Sequence, residues 1–523
     1  MDRYVCAVDV GTRSARAGVF TTDGTALSHH VRPIALWEKP GGGGEHASED
    51  IWRAVCAAVR DAVTGARVDP AAICAIGFDA TCSLVLQDRD GAPLPLGDEG
   101  QDTIAWFDHR AVAQAARCTA SGHRVLDHIG GAMSPEMQTP KLMWLKEVRP
   151  DLWSRLGAAR DLTDFLTWRA SGSNARSLCT LTAKWTYLAH DGGWQADFLD
   201  AMGLEDLRSR AALPDAGTPV GASLGPLTAQ AAAELGLSET CQVASGMIDA
   251  FAGALGVLGS QPAGSGDLAL IAGTSSCIMA LTPEPWQAPG IWGPYHEAIL
   301  PGAWVAEGGQ SATGALLDHV LRVFAPDKTP DKATTISAHN RVMAQLTETL
   351  AREGAGFARD LHVLPDFNGN RTPLADPLLR GVISGLSLDT TGHELLRVYW
   401  RASVAIALGL RQIIEQMEGA GTPVHRLMIT GGHTRSPLLL QLYADVTGRE
   451  VHLRDAPDGV LLGSAIAAAM AGGLAPDLST AARAMQGHCR SLSPDPGRQA
   501  IYDRDYAIFR RMQAHRAELA QMN

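Results

Sequence analysis

The sequence predicts an α/β protein built from two related domains that face one another. Strand-like and helix-like segments alternate through both halves, and a strand–Gly-Thr-x-Ser–strand pattern occurs near the start of each. At 523 residues the chain also exceeds what one ordinary core holds.

In chain order, Val5–Val10, Ala17–Phe20 and Ala26–His30 read as three strands joined by turns at Gly11 and Asp23-Gly24. A helical pattern follows over Ile51–Val63, then a strand over Ile73–Phe78 that runs into Asp79-Ala80-Thr81-Cys82-Ser83. Val243–Ser245 reads as a strand and Ala250–Leu258 as a helix, with Gly, Ser, Gln and Pro accumulating over Gly256–Gly266. Leu268–Ala272, Gly273-Thr274-Ser275-Ser276 and Cys277–Leu281 then repeat the opening design. Ala315–Phe324 reads as a helix, and Leu395, Tyr399, Ala402, Ile406, Leu410, Ile413 and Met417 mark one face of a long buried one. Arg426–Thr430 is a strand, Gly431-Gly432 a tight turn, Ser436-Pro437 a helix start and Gly448 its stop. Val460–Ala475 is apolar and rich in Ala and Gly, shorter than the roughly 20 residues a membrane span needs. It reads as a tightly packed core helix. Gly41–Gly44 reads as a mobile loop.

Composition narrows the function classes. A net charge of -12 argues against nucleic acid and acidic membrane surfaces as main partners, while leaving room for an anionic ligand bound locally. The first residues carry no basic stretch followed by an apolar run, so no signal peptide is expected. Nine scattered cysteines without a C-x-x-C pair suit free thiols in a cytoplasm, and seventeen histidines show no metal-ligand spacing. Neither a P-loop nor a Gly-x-Gly-x-x-Gly after the first strand occurs.

Asp9, within an apolar strand that breaks into Gly11-Thr12-Arg13-Ser14-Ala15-Arg16, is costly to bury without a partner. Two readings stand at this point. Asp9 caps an ordinary turn, or the hairpin tip binds phosphate, with glycine amides, hydroxyls and Arg16 as donors and Asp9 holding Mg²⁺ through its waters. Asp249 likewise reads either as a helix cap or as a chemical group. Asp79 could cap a strand end, Trp106 could be plain core, Lys184 a solvated lysine and Gly314 a packing glycine. Ser436 could serve as an N-cap alone.

Asp9-x-Gly-Thr-x-Ser-x-Arg16, Gly273-Thr274-Ser275 and Thr430-Gly431-Gly432 resemble the two phosphate motifs and the adenosine motif of the actin-like ATPase superfamily. Within it the chain resembles the FGGY carbohydrate kinases over nearly its whole length. Further matches are Trp106–Arg110, Lys141–Leu145, Gly246–Gly253 and Glu307–Gly314. Gly77–Leu84 and Met133–Gln138 resemble the ribulokinase branch. Val398 departs from the small residue usual in the family's second signature, at a packing position.

The resemblance implies two actin-like (ribonuclease H-like) ATPase domains with a central cleft, residues 1–258 on the sugar side and 259–523 on the ATP side. ATP and Mg²⁺ are the implied cofactors, with Asp9 on the metal. Gly11, Thr12, Ser14, Arg16, Gly273, Thr274, Gly314, Gly432 and Ser436 would hold the nucleotide, Gly314 by amides at a helix start. Asp79, Ala80, Trp106, Lys184, Asp249 and Glu307 would surround the sugar, with Asp249 as general base. The implied reaction phosphorylates the terminal O5 hydroxyl of a ketopentose, D-ribulose first, with L-ribulose or ribitol as alternative acceptors. An actin-like ATPase without a sugar acceptor is the rival from another class. A small-molecule sugar is the expected partner, without nucleic acid or membrane, and a homodimer is left open.

Overall fold

The computed structural model of the chain describes residues 2–97, 99–325, 332–388, 392–455 and 458–522. Two mixed sheets share one topology. In the first, β1 (Tyr4–Val10), β2 (Ser14–Thr21) and β3 (Ala26–Pro33) form an antiparallel meander, and β4 (Ile73–Ala80) and β5 (Gln242–Ala244) extend it in parallel beyond β1. In the second, β6 (Asp267–Ala272), β7 (Ser276–Thr282) and β8 (Trp304–Gln310) repeat the meander, and β9 (Arg426–Gly431) and β10 (Glu450–Arg454) repeat the parallel extension. The duplicated hairpin motif is thus one end of a duplicated sheet. The repeat is not strict at its tip. Val10 pairs with Ala15 across four loop residues, whereas Ala272 pairs with Ser276 across three.

The helices cover the sheets for reasons visible in the sequence. Ile51, Trp52, Val55, Val59, Ala62 and Val63 recur every three or four residues, so helix Ser48–Ala66 lays one apolar face on the first sheet. Helix Gly392–Gly419 buries the predicted stripe against the second sheet, and Val398 lies inside it, fully buried. Ser436 accepts from the Leu439 amide as an N-cap, and Gly448 ends that helix at φ 67°.

Two further helices run between the sheets: α1 (Asp249–Leu258) and α2 (Gly459–Ala471). Each leans on the sheet of the other half. A Cβ on Gly253 of α1 would sit 2.8 Å from Ile271 in β6, while one on Gly77 in β4 would sit 2.2 Å from the Ser464 carbonyl of α2. They cross each other at backbone contact. A Cβ on Gly256 would lie 1.9 Å from the Gly459 carbonyl, and one on Gly463 1.9 Å from that of Ala252. The small-residue richness of this segment therefore serves close packing, and α2 stops at Ala471, short of the predicted Ala475.

A five-stranded sheet is inserted in the first half, in the order Trp37–Lys39, Gly43–His46, Thr103–Ile104, Leu84–Asp88, Leu156–Asp161. It corrects the expectation of a mobile loop at Gly41–Gly44. Of this run only Gly41 and Gly42 lie in the turn, after Pro40, with φ 80° and 83°. Gly43 and Gly44 are strand residues paired with Lys39 and Glu38, and the Gly44 amide donates to Asp108. Among the described residues no helix is long and apolar enough to cross a membrane.

Gly463→Ala and Gly256→Ala are expected to destabilise the protein by ~1–3 kcal/mol each, since the added methyl meets backbone that cannot move aside. Gly356→Ala, whose Cβ would meet nothing within 4 Å, is the control. Urea unfolding should show a lower midpoint for the first two and none for the control.

Candidate active site

The ends of β1, β4 and α1 bring carboxylates together. Asp9 and Asp79 are neighbours in register, and Asp79 also faces Met247, two residues before Asp249. Asp9 is 1% exposed, and its charge is met by Arg16 across the hairpin. Arg16 also reaches Asp458 at 2.7 Å. Asp458 in turn accepts from the Val460 and Leu461 amides as the N-cap of α2. One guanidinium thus ties the first hairpin to the start of the inter-sheet helix.

Asp79 is fully buried rather than capping an exposed strand end. Its Oδ2 accepts from Ser464 of α2 at 2.7 Å, and its Oδ1 has no partner. Burial, joined by the Asp249 charge, pushes its pKa well above the carboxylate range against the pull of the Ser464 hydroxyl. Ala80 beside it is fully buried between Val10 and Ile248.

Asp249 is the first residue of α1, with Ile248 as N-cap, so it is not the cap itself. Its Oδ1 accepts from the Ala250 amide at 2.7 Å. Burial raises its pKa, opposed by that amide and by the charges of Arg16 and Lys184.

Lys184 ends helix Leu178–Lys184 and is 4% exposed, which removes the surface reading. Its Nζ lies 5.0 Å from the centre of the Trp292 ring. Burial pulls its pKa down, but Glu307 and other nearby acidic groups prevail and raise it. Glu307, in β8, is buried with Oε2 unpaired. Buried ions without full pairing are costly, so such groups commonly await a ligand. Trp106 donates its indole N–H to the Thr12 hydroxyl at 3.0 Å and its backbone amide to Ser83. A wall of this chamber and the first hairpin are thereby joined.

The second hairpin is built differently from expectation at one place. Helix Gly314–Phe324 does start beside it, but the Gly314 and Ala315 amides donate to the carbonyls of Gly273 and Thr274. A Cβ on Gly314 would lie 2.7 Å from the Gly273 carbonyl. Gly314 therefore acts as a packing glycine, and its amide is spent on the hairpin. Gly431 takes φ 96° with no room for a side chain, whereas a Cβ on Gly432 would meet only the Ala272 carbonyl, at 3.9 Å. The hydroxyl of Ser436 caps its helix and lies 3.6 Å from the Met343 sulfur. The Gly11 amide donates to the Ser14 carbonyl, and the Gly273 amide to that of Ser275. The two tips leave Thr274 exposed and Thr12 partly so. Backbone without a close neighbour on the side-chain side of Gly11 and Gly432, two hydroxyl-bearing tips and a carboxylate at the base of one fit MgATP.

Sequence reasoning singled out neither Arg371 nor Trp292 nor Tyr295. Arg371 pairs with Glu136 at 3.3 Å, and its guanidinium lies 5.5 Å from the Trp106 ring centre and 5.4 Å from that of Trp292. Tyr295 is buried with its hydroxyl unpaired, in the field of Glu307 and Lys184. An arginine inside the turn-rich Asn368-Gly-Asn-Arg-Thr-Pro373 was the available signal for the first.

Arg16→Gln should leave the buried Asp9 carboxyl without its cation, lowering stability by about 1–3 kcal/mol. Asp9→Asn added to it should recover part of that loss. Chemical denaturation of the single and double variants measures this.

The model of the FGGY family of carbohydrate kinases matches twice, its N-terminal domain over residues 4–256 and its C-terminal domain over residues 268–472. An FGGY carbohydrate kinase domain-containing protein of Homo sapiens is 42% identical over 100% of this chain and 98% of its own length. A D-ribulokinase of Saccharomyces cerevisiae is 35% identical over 90% of this chain and 72% of its own. The crystal structure of a xylulose kinase from Rhodospirillum rubrum superposes with a TM-score of 0.80, at 24% identity and 99% coverage of both chains, and so shares the fold. With two duplicated sheets, two Gly-Thr hairpins and a charged chamber between them, the chain belongs to the FGGY family of carbohydrate kinases, phosphotransferases that act on a hydroxyl acceptor.

Proposed function

We propose that this kinase phosphorylates the terminal O5 hydroxyl of D-ribulose, with L-ribulose and ribitol as lesser acceptors. The observation that carries the reading is the set Asp249, Lys184 and Glu307, which lie within one another's field: Lys184 and Glu307 are buried, Asp249 is partly so, and Glu307 keeps an unpaired Oε2. Donors and acceptors that lack partners of their own suit a ligand rich in hydroxyls. The likeness to the yeast D-ribulokinase supports the choice of acceptor. The resemblance of Gly77–Leu84 and Met133–Gln138 to ribulokinases supports it further.

Asp249 is the general base. Held by the Ala250 amide at one oxygen, it has the other free to take the proton from the attacking hydroxyl. Lys184 and Glu307 orient the sugar, and Asp79 and Ala80 form the floor. Thr12, Ser14 and Arg16 on one side, and Gly273, Thr274, Gly432 and Ser436 on the other, would hold the phosphates and adenosine of ATP, while Gly314 backs the second hairpin. Asp9 would hold Mg²⁺, which would supply charge neutralisation on the phosphates. Closure of the two halves, divided near residues 258 and 259, excludes water from the transfer. Nine free thiols suit a cytoplasmic enzyme.

Asp249→Asn should lower kcat on the order of 10²- to 10⁴-fold while calorimetry shows the sugar still binding. Because burial raises the Asp249 pKa, the acid limb of the kcat/KM profile should lie above the ordinary carboxylate range, with activity lost as pH falls through it. Near-normal turnover of the variant would return Asp249 to a structural part.

The acceptor is tested by kcat/KM for D-ribulose, L-ribulose, D-xylulose, ribitol and glycerol under one set of conditions. D-ribulose should lead. D-xylulose keeps its C3 hydroxyl but misdirects it, and glycerol is too short to reach both Lys184 and Glu307. Leadership by either of those two would overturn the acceptor while leaving the kinase intact.

A further inference from the structure

We propose that Arg371 and Glu136 are positioning residues whose ion pair across the two halves holds Trp106, and through Trp106 the phosphate hairpin, in the reacting arrangement. One partner comes from each matched region: Glu136 from residues 4–256 and Arg371 from residues 268–472. Their side chains are 14% and 12% exposed, with Nη2 to Oε2 at 3.3 Å. Arg371 does not merely neutralise Glu136. Its guanidinium lies against both Trp106 and Trp292, a placement that a planar, weakly hydrated cation fills better than an ammonium. Its other terminal nitrogen points to the Cys277 sulfur at 3.8 Å in β7.

The remaining links run from the chamber wall to the phosphate site. The Trp106 ring that receives Arg371 on its face donates its N–H to the Thr12 hydroxyl at the hairpin tip. Movement of the second half away from the first would remove Arg371 from that ring and free the indole to turn, so Thr12 would lose its donor. The pair is anchored on both sides. The Arg371 stem crosses β8 at Gly309, where a Cβ would lie 2.9 Å from Cδ, and the Gly309 amide donates to Thr372. Glu136 is also approached by His109 at 3.7 Å. Burial pushes the Glu136 pKa up, but Arg371, His109 and Lys184 together outweigh this and hold it at about 2, so the pair is ionised near neutral pH. Since Glu136 already occupies the cation, this wall offers no free guanidinium to an anionic acceptor.

The pair has no place in the phosphoryl-transfer chemistry. Its effect is coupling: the hairpin is set when the halves are closed on an acceptor, and released when they are open. The inference rests on the chamber being the acceptor site, but not on which sugar fills it.

The test compares Arg371→Met, Arg371→Lys, Glu136→Gln, the charge swap Glu136→Arg with Arg371→Glu, Trp106→Phe, and Arg371→Met combined with Trp106→Phe. Each is assayed with the best acceptor from the panel and without any acceptor, after circular dichroism confirms folding. Arg371→Met and Glu136→Gln should cut kcat with acceptor on the order of 10- to 100-fold, as a displacement of about 1 Å at the reacting groups does. The ratio of acceptor-free ATP hydrolysis to phosphoryl transfer should rise by a similar factor. Arg371→Lys should retain more turnover than Arg371→Met, and the charge swap, which restores an ion pair but sets a carboxylate against the Trp106 and Trp292 rings, should retain less than Arg371→Lys. Trp106→Phe should reproduce the loss, and adding it to Arg371→Met should cost little more, because both act through one bond. Turnover and hydrolysis ratio within twofold of the parent in Arg371→Met would overturn the inference. So would full additivity with Trp106→Phe. If Arg371→Met fails to fold, the swap and the Lys variant decide by the same ratio. Loss of the acceptor reading alone would appear as a changed order in the sugar panel with these ratios unaffected.

Discussion

The crossing of α1 and α2 at backbone contact is the constraint on which the rest of the molecule depends. With glycines at 256, 459 and 463, no side chain separates the two helices, and each can lie on the sheet of the opposite half. The contact is dense and extended: Gly459 to Ala469 are all buried, and Leu462 and Ile466 each contribute ~1.5–3 kcal/mol by leaving water. Both helices begin at the cleft with a carboxylate in place, Asp249 on one and Asp458 on the other. A change in the angle between them moves both carboxylates relative to the hairpins. Packing and chemistry are therefore set by the same few residues.

The electrostatics follow from that geometry. Asp9, Asp79, Asp249 and Glu307 converge where solvent is scarce, and each must find a partner or a proton. Asp9 takes Arg16, which simultaneously fastens Asp458. Asp79 is pushed toward its protonated form, with only a serine hydroxyl for company. Glu307 and Lys184 face one another's field without a contact short enough to be an ion pair, and Tyr295 adds an unpaired hydroxyl. The chamber is thus rich in polar atoms whose hydrogen bonds are incomplete. A polyol completes such a set, where an apolar ligand would leave every one of them unpaired.

Much of this was legible in the residues. Strand and helix positions followed from apolar spacing, and the hairpins were found because a turn between two strands writes its Gly-Thr-x-Ser in consecutive letters. Ser436 and Gly448 carried recognisable helix-end chemistry and kept it. Gly41–Gly44 misled because glycine runs look like loops, although Gly44 is in a strand to let the Phe107 ring approach. Gly314 misled because a helix start beside a hairpin suggests free amides, and only the fold shows the hairpin carbonyls taking them. Glu136 lies within Met133–Gln138, yet its partner stands 235 residues away and no local pattern pairs them.

By itself the sequence determined the α/β class and the duplicated hairpin, and through its family resemblance the chemistry expected of the site, because periodicity, turn residues and hairpin motifs are local and each is fixed by neighbours in the chain. The tertiary structure alone decided which charges meet. That Arg16 joins Asp9 to Asp458, that Asp79 rests on Ser464, that Lys184 is buried beside Trp292, and that Arg371 reaches Glu136 are consequences of two sheets brought together by crossing helices. Burial and charge pairing depend on distances between residues hundreds of positions apart, and only the closed packing of the chain sets those distances.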